Sequence, residues 1–307
     1  MSWYLDYNNM FIDIHVHTRR IKGFPRTYGT TRSDNTTYAT PEEIIAAYDR
    51  TGIEMGCILP VCSPESALLP QCNEDVLELA EKYKGRFIPF CNVDPRFMYN
   101  RVDAPLEKML AYYKNLGCKG IGEVTTNMRF DSPFMQNLFR AAEVVDLPLT
   151  FHMSTRIGYY YGVVEDAGLT CLERTMQRFP KLKFFGHSQT FWAEIGANPS
   201  EFDRCDYPKG KVIEGRVPQL MRKYPNLYGD LSAGSGFNAL SRDREYAIKF
   251  LNEFQDRLMF GTDIASPDMS DLTCLMDLLK DLRDSGGISN EVFNKVAREN
   301  AIRLLGL

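Results

Sequence analysis

Short apolar segments recur along the chain and alternate with longer segments in which apolar positions repeat with a helical period. The apolar segments are rich in β-branched and aromatic residues and are shorter than most helices, so they predict buried strands. They follow one another at intervals of roughly 30 to 45 residues. The eight segments are 10–17, 55–61, 87–93, 118–124, 148–154, 183–188, 227–232 and 258–263.

The segments between these strands predict helices. The first has the clearest start, because Thr40 and Glu43 form the sequence pattern of a capping box just before the apolar positions begin. Three long segments stay irregular in this prediction, and each follows a histidine-bearing strand: 19–40, 154–168 and 189–210. The predicted helices are 41–51, 73–83, 104–116, 133–145, 169–179, 211–223, 239–254 and 271–283, with a last one at 288–307.

Eight strands that alternate with helices predict a parallel sheet built from βαβ units. Such units close into an α/β barrel, the (β/α)8 or TIM barrel, of about 250 residues. The chain has 307 residues, and we expect a single barrel domain over residues 1–307. A doubly wound sheet is the alternative, but it would require a glycine-rich turn after the first strand, and Val16-His17-Thr18-Arg19 is not one.

Composition narrows the class of protein. Hydrophobic residues make up 44% of the chain and charged residues 25%, which is ordinary for a globular protein. The net charge of -4 gives no sign of a nucleic-acid-binding surface. We expect neither a secretory leader nor a membrane span. The eight cysteines include no CxxC pair, which favours a reducing compartment, so we expect a cytoplasmic protein.

All four histidines of the chain lie at the ends of predicted strands. His15 and His17 end the first strand, and alternate residues of a strand point to the same face, so their side chains should project together. His152 and His187 end the fifth and sixth strands. Because histidine is the commonest metal ligand among side chains, this arrangement predicts a metal site.

Asp263 ends the eighth predicted strand, which lies beside the first in a closed barrel. Gly261-Thr262-Asp263 taken alone is also typical of a helix N-cap. Beside strands that end in histidine, we expect the carboxylate to bind the metal and to take a proton from the attacking water.

An HxH motif on strand one, a histidine on strands five and six and an aspartate on strand eight resemble the amidohydrolase superfamily. Segments 11–17, 258–263 and 299–306 resemble its amidohydrolase-2 branch, which includes the aminocarboxymuconate-semialdehyde decarboxylase type, lactonases and other hydrolases. The resemblance covers essentially the whole chain. It implies a metal-dependent barrel enzyme that acts on a small molecule.

The resemblance also implies roles for individual residues. His15, His17 and Asp263 would bind a divalent metal, with His152 as a further ligand. His187 would bind a second metal or polarise the substrate. Zinc is the usual metal in this branch, and the nitrogen and oxygen ligands would also accept manganese or iron.

Glu123 ends the fourth strand and leaves the number of metals open. Its position suits a ligand that bridges two metals, or a general base. The alternative is an ion pair with Arg129 or Arg156. Lys119 lies four residues earlier, and we do not expect it to reach the site.

Four residues on the loops after histidine-bearing strands are candidates for substrate binding. Arg19 and Arg20 follow the HxH motif, and arginine forks suit carboxylates. Arg156 follows His152, and Trp192 offers a ring for stacking on a planar substrate. Solvated charges and loop packing are the alternatives.

These residues favour a metal-dependent hydrolase that cleaves a C–O or C–N carbonyl bond of a small, carboxylated molecule. Asp263, His187 and Glu123 are its candidate catalytic residues. A non-hydrolytic decarboxylase of the aminocarboxymuconate-semialdehyde type is the first alternative. A TatD-like nuclease is less consistent with the acidic charge balance, and a barrel without catalysis is less consistent with the intact ligand set. Related barrels often form homo-oligomers.

Overall fold

The computed structural model describes residues 10–23, 37–66 and 70–307. Residues 1–9 of the predicted domain and 24–36 of the predicted irregular segment 19–40 lie outside the described residues. The described residues form the predicted (β/α)8 barrel. Eight of its described strands form the ring, and the short strand β6 lies outside it. The strands are β1 (Phe11–Val16), β2 (Ile53–Ile58), β3 (Phe87–Pro89), β4 (Ile121–Val124), β5 (Leu149–Ser154), β6 (Val163–Val164), β7 (Phe184–His187), β8 (Leu227–Asp230) and β9 (Leu258–Met259).

The strands are parallel and form two sheets that meet at two seams. One sheet has the order β1-β2-β3 and the other the order β4-β5-β7-β8-β9, with β6 paired to β5. At the first seam Cys91 pairs with Ile121. At the second seam the amide of Asp263 donates to the carbonyl oxygen of His15 at 2.8 Å. Closure of the barrel therefore joins two predicted site residues from distant parts of the chain.

Helices surround the barrel. The predicted capping box opens the first one, since Thr40 Oγ1 accepts from the amide of Glu43 at 3.2 Å and the amide of Thr40 donates to Glu43 Oε2 at 2.9 Å. The helices are α1 (Pro41–Thr51), α2 (Asn73–Lys82), α3 (Phe97–Asn100), α4 (Leu106–Asn115), α5 (Pro133–Val145), α6 (Thr170–Arg178), α7 (Gln189–Ala193), α8 (Glu201–Arg204), α9 (Arg216–Lys223), α10 (Ala233–Ser241), α11 (Arg244–Glu253), α12 (Cys274–Asp284), α13 (Asn290–Asn294) and α14 (Asn300–Leu305), with a π-helical turn at Lys295–Glu299.

The structure departs from the predicted elements in several places. The predicted helix 239–254 is two helices, because Asp243 starts α11 by accepting a hydrogen bond from the amide of Tyr246 at 3.3 Å. The predicted helix 211–223 begins only at Arg216. Two segments predicted to be irregular contain β6, α7 and α8, and the C-terminal helix is interrupted by the π-helical turn. These differences lie outside the ring of strands.

One end of the barrel interior is apolar and closed. Helix α14 packs under it. Among the described residues, no helix combines the length and the apolar character that crossing a membrane requires. Buried side chains that form this apolar end include Ile12, Ile14, Leu59, Phe90, Phe185, Met259, Ala301, Leu304 and Leu305.

Candidate metal centre

His15 and His17 place their Nε2 atoms 3.1 Å apart at the carboxyl end of β1. Asp263 lies opposite, with its Oδ1 3.6 Å from His15 Nε2 and 3.4 Å from His17 Nε2. Asp263 follows β9 with a φ of 57°, a left-handed conformation that aspartate adopts more readily than most residues. We call these three side chains the first group.

Glu123, His152 and His187 form a second group beside the first. Glu123 Oε1 lies 2.7 Å from His152 Nδ1 and 3.6 Å from His187 Nε2. Glu123 Oε2 lies 3.4 Å from His17 Nε2 and 3.7 Å from His15 Nε2. The carboxylate of Glu123 therefore faces both groups at once.

Two glycines allow the second group to assemble. Gly122 precedes Glu123 with a φ of 141°, and a Cβ there would lie 2.8 Å from a carbonyl oxygen of β5. Gly162 has a φ of 107°, and a Cβ there would lie 2.8 Å from His152 Cδ2. Tyr161 packs on the same imidazole, with 4.6 Å between ring centroids. A larger residue at Gly162 would displace the imidazole of His152, and one at Gly122 would collide with the backbone of β5.

Three of the four imidazoles are held from behind by a hydrogen bond to Nδ1. Asp230 Oδ2 lies 2.7 Å from His15 Nδ1, and a carbonyl oxygen just after β2 lies 2.8 Å from His17 Nδ1. Ser232 Oγ lies 3.0 Å from His187 Nδ1. Such contacts fix the ring and direct the other ring nitrogen, here Nε2, towards the centre.

Three carboxylates determine the charge of the centre. Among the described residues, the ion pairs of Glu123, Asp230 and Asp263 are all made with imidazoles. Burial by itself would lower the pKa of His15, but the charges of Asp230 and Asp263 outweigh it and hold that pKa well above its usual value. Burial, together with the charge on His15, lowers the pKa of His187 to about 4. The carboxylates thus favour positive charge here, from a proton or a metal ion.

The donor atoms suit a divalent ion. Nitrogen and oxygen ligands about 2.0–2.2 Å from one ion lie about 3.0–3.6 Å from one another in tetrahedral or octahedral sites. In the first group the three separations are 3.1, 3.4 and 3.6 Å. Imidazole nitrogen and carboxylate oxygen serve zinc, manganese and iron alike. The first group therefore fits one ion, and the second group offers donors for another.

A cavity of about 200 Å³ opens beside His152. Its wall includes Tyr160, Tyr161, Gln189 and Arg204. Arg204 is buried, its Nη2 donates to a carbonyl oxygen after β6 at 2.9 Å, and its Nε lies 3.1 Å from a glutamate carboxylate at the end of α7. The cavity thus combines two tyrosine rings with a buried arginine that pairs with a glutamate, next to the second group.

The four predicted substrate contacts lie in different surroundings. Arg156 is exposed, with its guanidinium 4.4 Å from the ring centroid of Tyr160 in the cavity wall. Arg19 is buried and lies 4.9 Å from the centroid of a tyrosine ring. Arg20 is 56% exposed and pairs at 2.7 Å with a glutamate of α2. The indole of Trp192 is buried and donates to a backbone carbonyl oxygen of β8 at 2.9 Å, so it packs behind the site and not in the cavity wall.

The alternative partners of Glu123 lie elsewhere. Arg129 Nη2 pairs with Asp166 Oδ2 at 2.8 Å, and Arg156 lies over Tyr160. Lys119 Nζ donates to a carbonyl oxygen in the last residues of the chain at 3.0 Å, which keeps it away from the centre as expected. The carboxylate of Glu123 instead contacts imidazoles.

Sequence reasoning missed two residues of the site. Asp230 ends β8, and its carboxylate holds His15 and also accepts from the amide of Ser232 at 2.9 Å. A strand-end aspartate was the available signal. Arg204 lies in a segment predicted to be irregular, and no pattern around it indicates a cavity. Its position depends on how α8 folds over the barrel.

The family model described as Amidohydrolase matches residues 12–307 of the chain. The chain belongs to the amidohydrolase family. The match includes both groups of the centre and confirms the predicted branch. No curated protein matches this amidohydrolase.

Solved structures resemble this amidohydrolase over almost its whole length. An uncharacterised TIM-barrel protein from Bordetella bronchiseptica shares 20% identity at a TM-score of 0.65, covering 97% of this chain and 98% of its own. The 5-carboxyvanillate decarboxylase from Novosphingobium aromaticivorans, complexed with manganese and 4-hydroxy-3-methoxy-5-nitrobenzoic acid, shares 18% at 0.61, covering 98% and 97%. A probable 2-pyrone-4,6-dicarboxylic acid hydrolase from Acinetobacter baumannii, with citric acid bound, shares 15% at 0.60, covering 97% and 99%. At these identities the likeness establishes the fold.

Proposed function

We propose that this amidohydrolase is a divalent-metal-dependent decarboxylase of a small, carboxylated, planar molecule. The proposal rests on the convergence of His15, His17 and Asp263. Beside the second group, a cavity with two tyrosines and a buried arginine in its wall supports it. The sequence favoured hydrolysis over decarboxylation, and this proposal reverses that preference. The reason is that solved structures similar to the chain include manganese-bound decarboxylases of aromatic acids.

The first group would hold the metal. A bound divalent ion supplies a Lewis acid that polarises a carboxylate or carbonyl oxygen. The chain itself supplies orientation, since Asp230 fixes the ring of His15 and Ser232 fixes that of His187. Asp263, whose side chain is 28% exposed, is the carboxylate of the first group that a substrate can approach. Zinc and manganese both remain candidates, because the donor atoms suit either.

The cavity supports a carboxylated ring as the substrate. Tyr160 and Tyr161 offer ring faces on which a planar molecule can stack. A substrate carboxylate would share the guanidinium of Arg204 with the glutamate that lies 3.1 Å from its Nε. At about 200 Å³ the cavity suits a single-ring molecule more than an extended one.

Hydrolysis is the second candidate, and the position of Glu123 favours it. Its carboxylate faces both groups, where it can bridge a second metal or accept a proton from water. One of the similar structures is also named as a probable hydrolase. The two candidates differ in the fate of the carboxyl group.

Product analysis separates the two reactions. Chain loaded with zinc or manganese would be incubated with 5-carboxyvanillate, 2,6-dihydroxybenzoate and 2-pyrone-4,6-dicarboxylate, and products would be identified by mass. We expect carbon dioxide and the remainder of the molecule intact. Addition of water without release of carbon dioxide would transfer the proposal to hydrolysis.

Metal analysis of the same preparations tests the centre itself. We expect one ion per chain if Glu123 acts outside the metal shell, and two if it bridges. Glu123→Gln should lower a content of two towards one and leave a content of one unchanged. A chain that binds no ion even after incubation with zinc or manganese would refute metal dependence.

A further inference from the structure

A second cavity of about 190 Å³ lies on the other side of the segment that carries α7 and α8. No residue lines both this cavity and the one beside His152. The segment is shared, since Asp203 faces the second cavity and the neighbouring Arg204 faces the first. The second cavity is therefore separate from the candidate metal centre, although it lies close along the chain.

Positive charge dominates the wall of the second cavity. Lys209, Lys211 and Arg242 line it, against the single carboxylate of Asp203. That carboxylate is already engaged, because Asp203 Oδ2 accepts from the amide and the hydroxyl of Ser200 at 2.9 and 2.6 Å. Lys211 Nζ also lies 2.7 Å from Glu245 Oε2 in an exposed pair outside the wall, whereas Lys209 and Arg242 have no ion pair among the described residues.

Arg242 is the central observation. It is half-buried, its Nε is shielded from solvent, and among the described residues its side chain has no hydrogen bond and no carboxylate within ion-pair distance. Asp243 follows directly, but its carboxylate accepts from the amides of Val212 and Tyr246 at 2.9 and 3.3 Å. A half-buried guanidinium without a partner is costly unless an anion completes it.

A comparison with Arg216 shows how this chain treats other half-buried arginines. Arg216 Nη2 pairs with Glu173 Oε2 at 2.7 Å, and its Nε donates to a backbone carbonyl oxygen at 2.9 Å. The Nη2 of Arg242 instead lies 2.8 Å from the position that a Cβ at residue 196 would take. Because Gly196 has no side chain, it leaves room for the guanidinium at the cavity wall. Within the part of the chain that the structure describes, Arg242 has no acidic partner like that of Arg216.

We propose that the second cavity binds a small anion with two or more negative charges, of the phosphate or dicarboxylate kind, through Arg242 and the two lysines. The planar guanidinium suits the paired oxygens of either anion, and lysines add charge without fixed geometry. At about 190 Å³ the cavity has room for such an anion. This site is independent of the reaction at the metal centre.

Calorimetric titration of the metal-loaded chain tests the proposal. Inorganic phosphate and succinate would be titrated separately at fixed ionic strength, with chloride as the control for general screening. Tighter binding of phosphate assigns a phosphate group, and tighter binding of succinate assigns a dicarboxylate. If neither anion binds at millimolar concentration, the proposal is wrong.

Matched variants locate the binding. Arg242→Gln should lower the affinity for the preferred anion at least about tenfold, since charge-assisted hydrogen bonds are lost. Arg244→Gln changes the net charge equally two residues away, but Arg244 pairs with Asp281, and affinity should stay within about twofold. Unchanged binding in Arg242→Gln would place the anion elsewhere, for example on the metal, and overturn the assignment.

A second variant covers the case in which Arg242→Gln fails to fold. Lys209→Gln combined with Lys211→Gln removes two exposed charges at little cost to the fold. It should lower the affinity for the anion at least about threefold and reduce the dependence of binding on salt. Replacement of Lys84 and Lys181, which are exposed and do not line the cavity, is the matched control and should leave binding unchanged.

Discussion

The two ends of the barrel interior are filled with opposite chemistry. At the closed end, Ile14 and Phe90 pack against Leu304 of the last helix, and all three are buried among hydrocarbon. At the other end, His15 contacts Asp230 and lies near Glu123, with charged groups that are just as buried. Adjacent residues of β1, Ile14 and His15, belong to different ends.

This difference separates the source of stability from the source of function. Burial of apolar side chains stabilises the fold by roughly 25 cal/mol for each Å² removed from water. Burial of carboxylates and imidazoles is unfavourable unless each is paired, so the polar end does not explain the stability of the barrel. Barrel enzymes carry their active sites at the carboxyl ends of the strands, which is the end where these charges gather.

The largest effect is expected from Asp263→Asn at the polar end. It removes the exposed carboxylate of the first group, and a metal site contributes several kcal/mol to a transition state. We expect turnover of the identified substrate to fall by at least about a thousandfold, with a lower metal content. Asp268→Asn, an exposed change in the same loop, is the control. Activity near that of the control would contradict the assignment of Asp263.

Phe90→Ala is the corresponding change at the apolar end. A buried phenylalanine reduced to alanine costs about 3–5 kcal/mol of unfolding free energy because it leaves a cavity. Denaturant unfolding measures the loss, and the metal content of the folded fraction should not change. Phe202→Ala, at a side chain that is 74% exposed, should have almost no effect. A loss of metal in folded Phe90→Ala would show that the two ends are coupled.

Asp230→Asn tests a residue of the polar end that lies outside both the first and the second group. An amide holds the Nδ1 of His15 less well than a carboxylate, and residues of this kind typically change metal affinity by about 10–100-fold. Competition with a chelator gives the affinity. An affinity equal to that of the unmodified chain would mean that His15 is oriented by packing alone.

Arg20→Gln should have the smallest effect. Its guanidinium pairs with Glu78 on the surface, and exposed pairs contribute about 0–1 kcal/mol. Both the unfolding free energy and the KM for the identified substrate should therefore change little. A KM several-fold higher would restore Arg20 to the substrate-binding residues proposed from the sequence.

The ring of strands and the meeting of the histidines could be predicted from the sequence because both depend on local period and chain order. Strands that alternate with helices leave few topologies, and the strand ends of a barrel must converge. His152 and His187 are register partners on neighbouring strands, so their proximity follows directly from the barrel. The resemblance to the amidohydrolase superfamily independently indicated the same histidines as metal ligands.

Loop-dependent features could not be predicted in this way. Trp192 lies on α7 in a segment that showed no helical pattern, so nothing indicated that its indole would turn towards β8. Arg204 enters the cavity wall only because α8 folds over the barrel. The predicted helix breaks before α11 because the carboxylate of Asp243 caps the start of α11. The spacing of apolar residues does not indicate such a cap.

The seam between His15 and Asp263 also determines when the centre can form during synthesis. His15 is made near the beginning of the chain, but its backbone partner leaves the ribosome only after all the intervening strands. Domains emerge from the N-terminus onward, so the early histidines must wait in an incomplete sheet. Stable loading of an ion by the first group therefore has to follow the synthesis of β9 and Asp263, and a nascent chain that stops before β9 should not retain the ion.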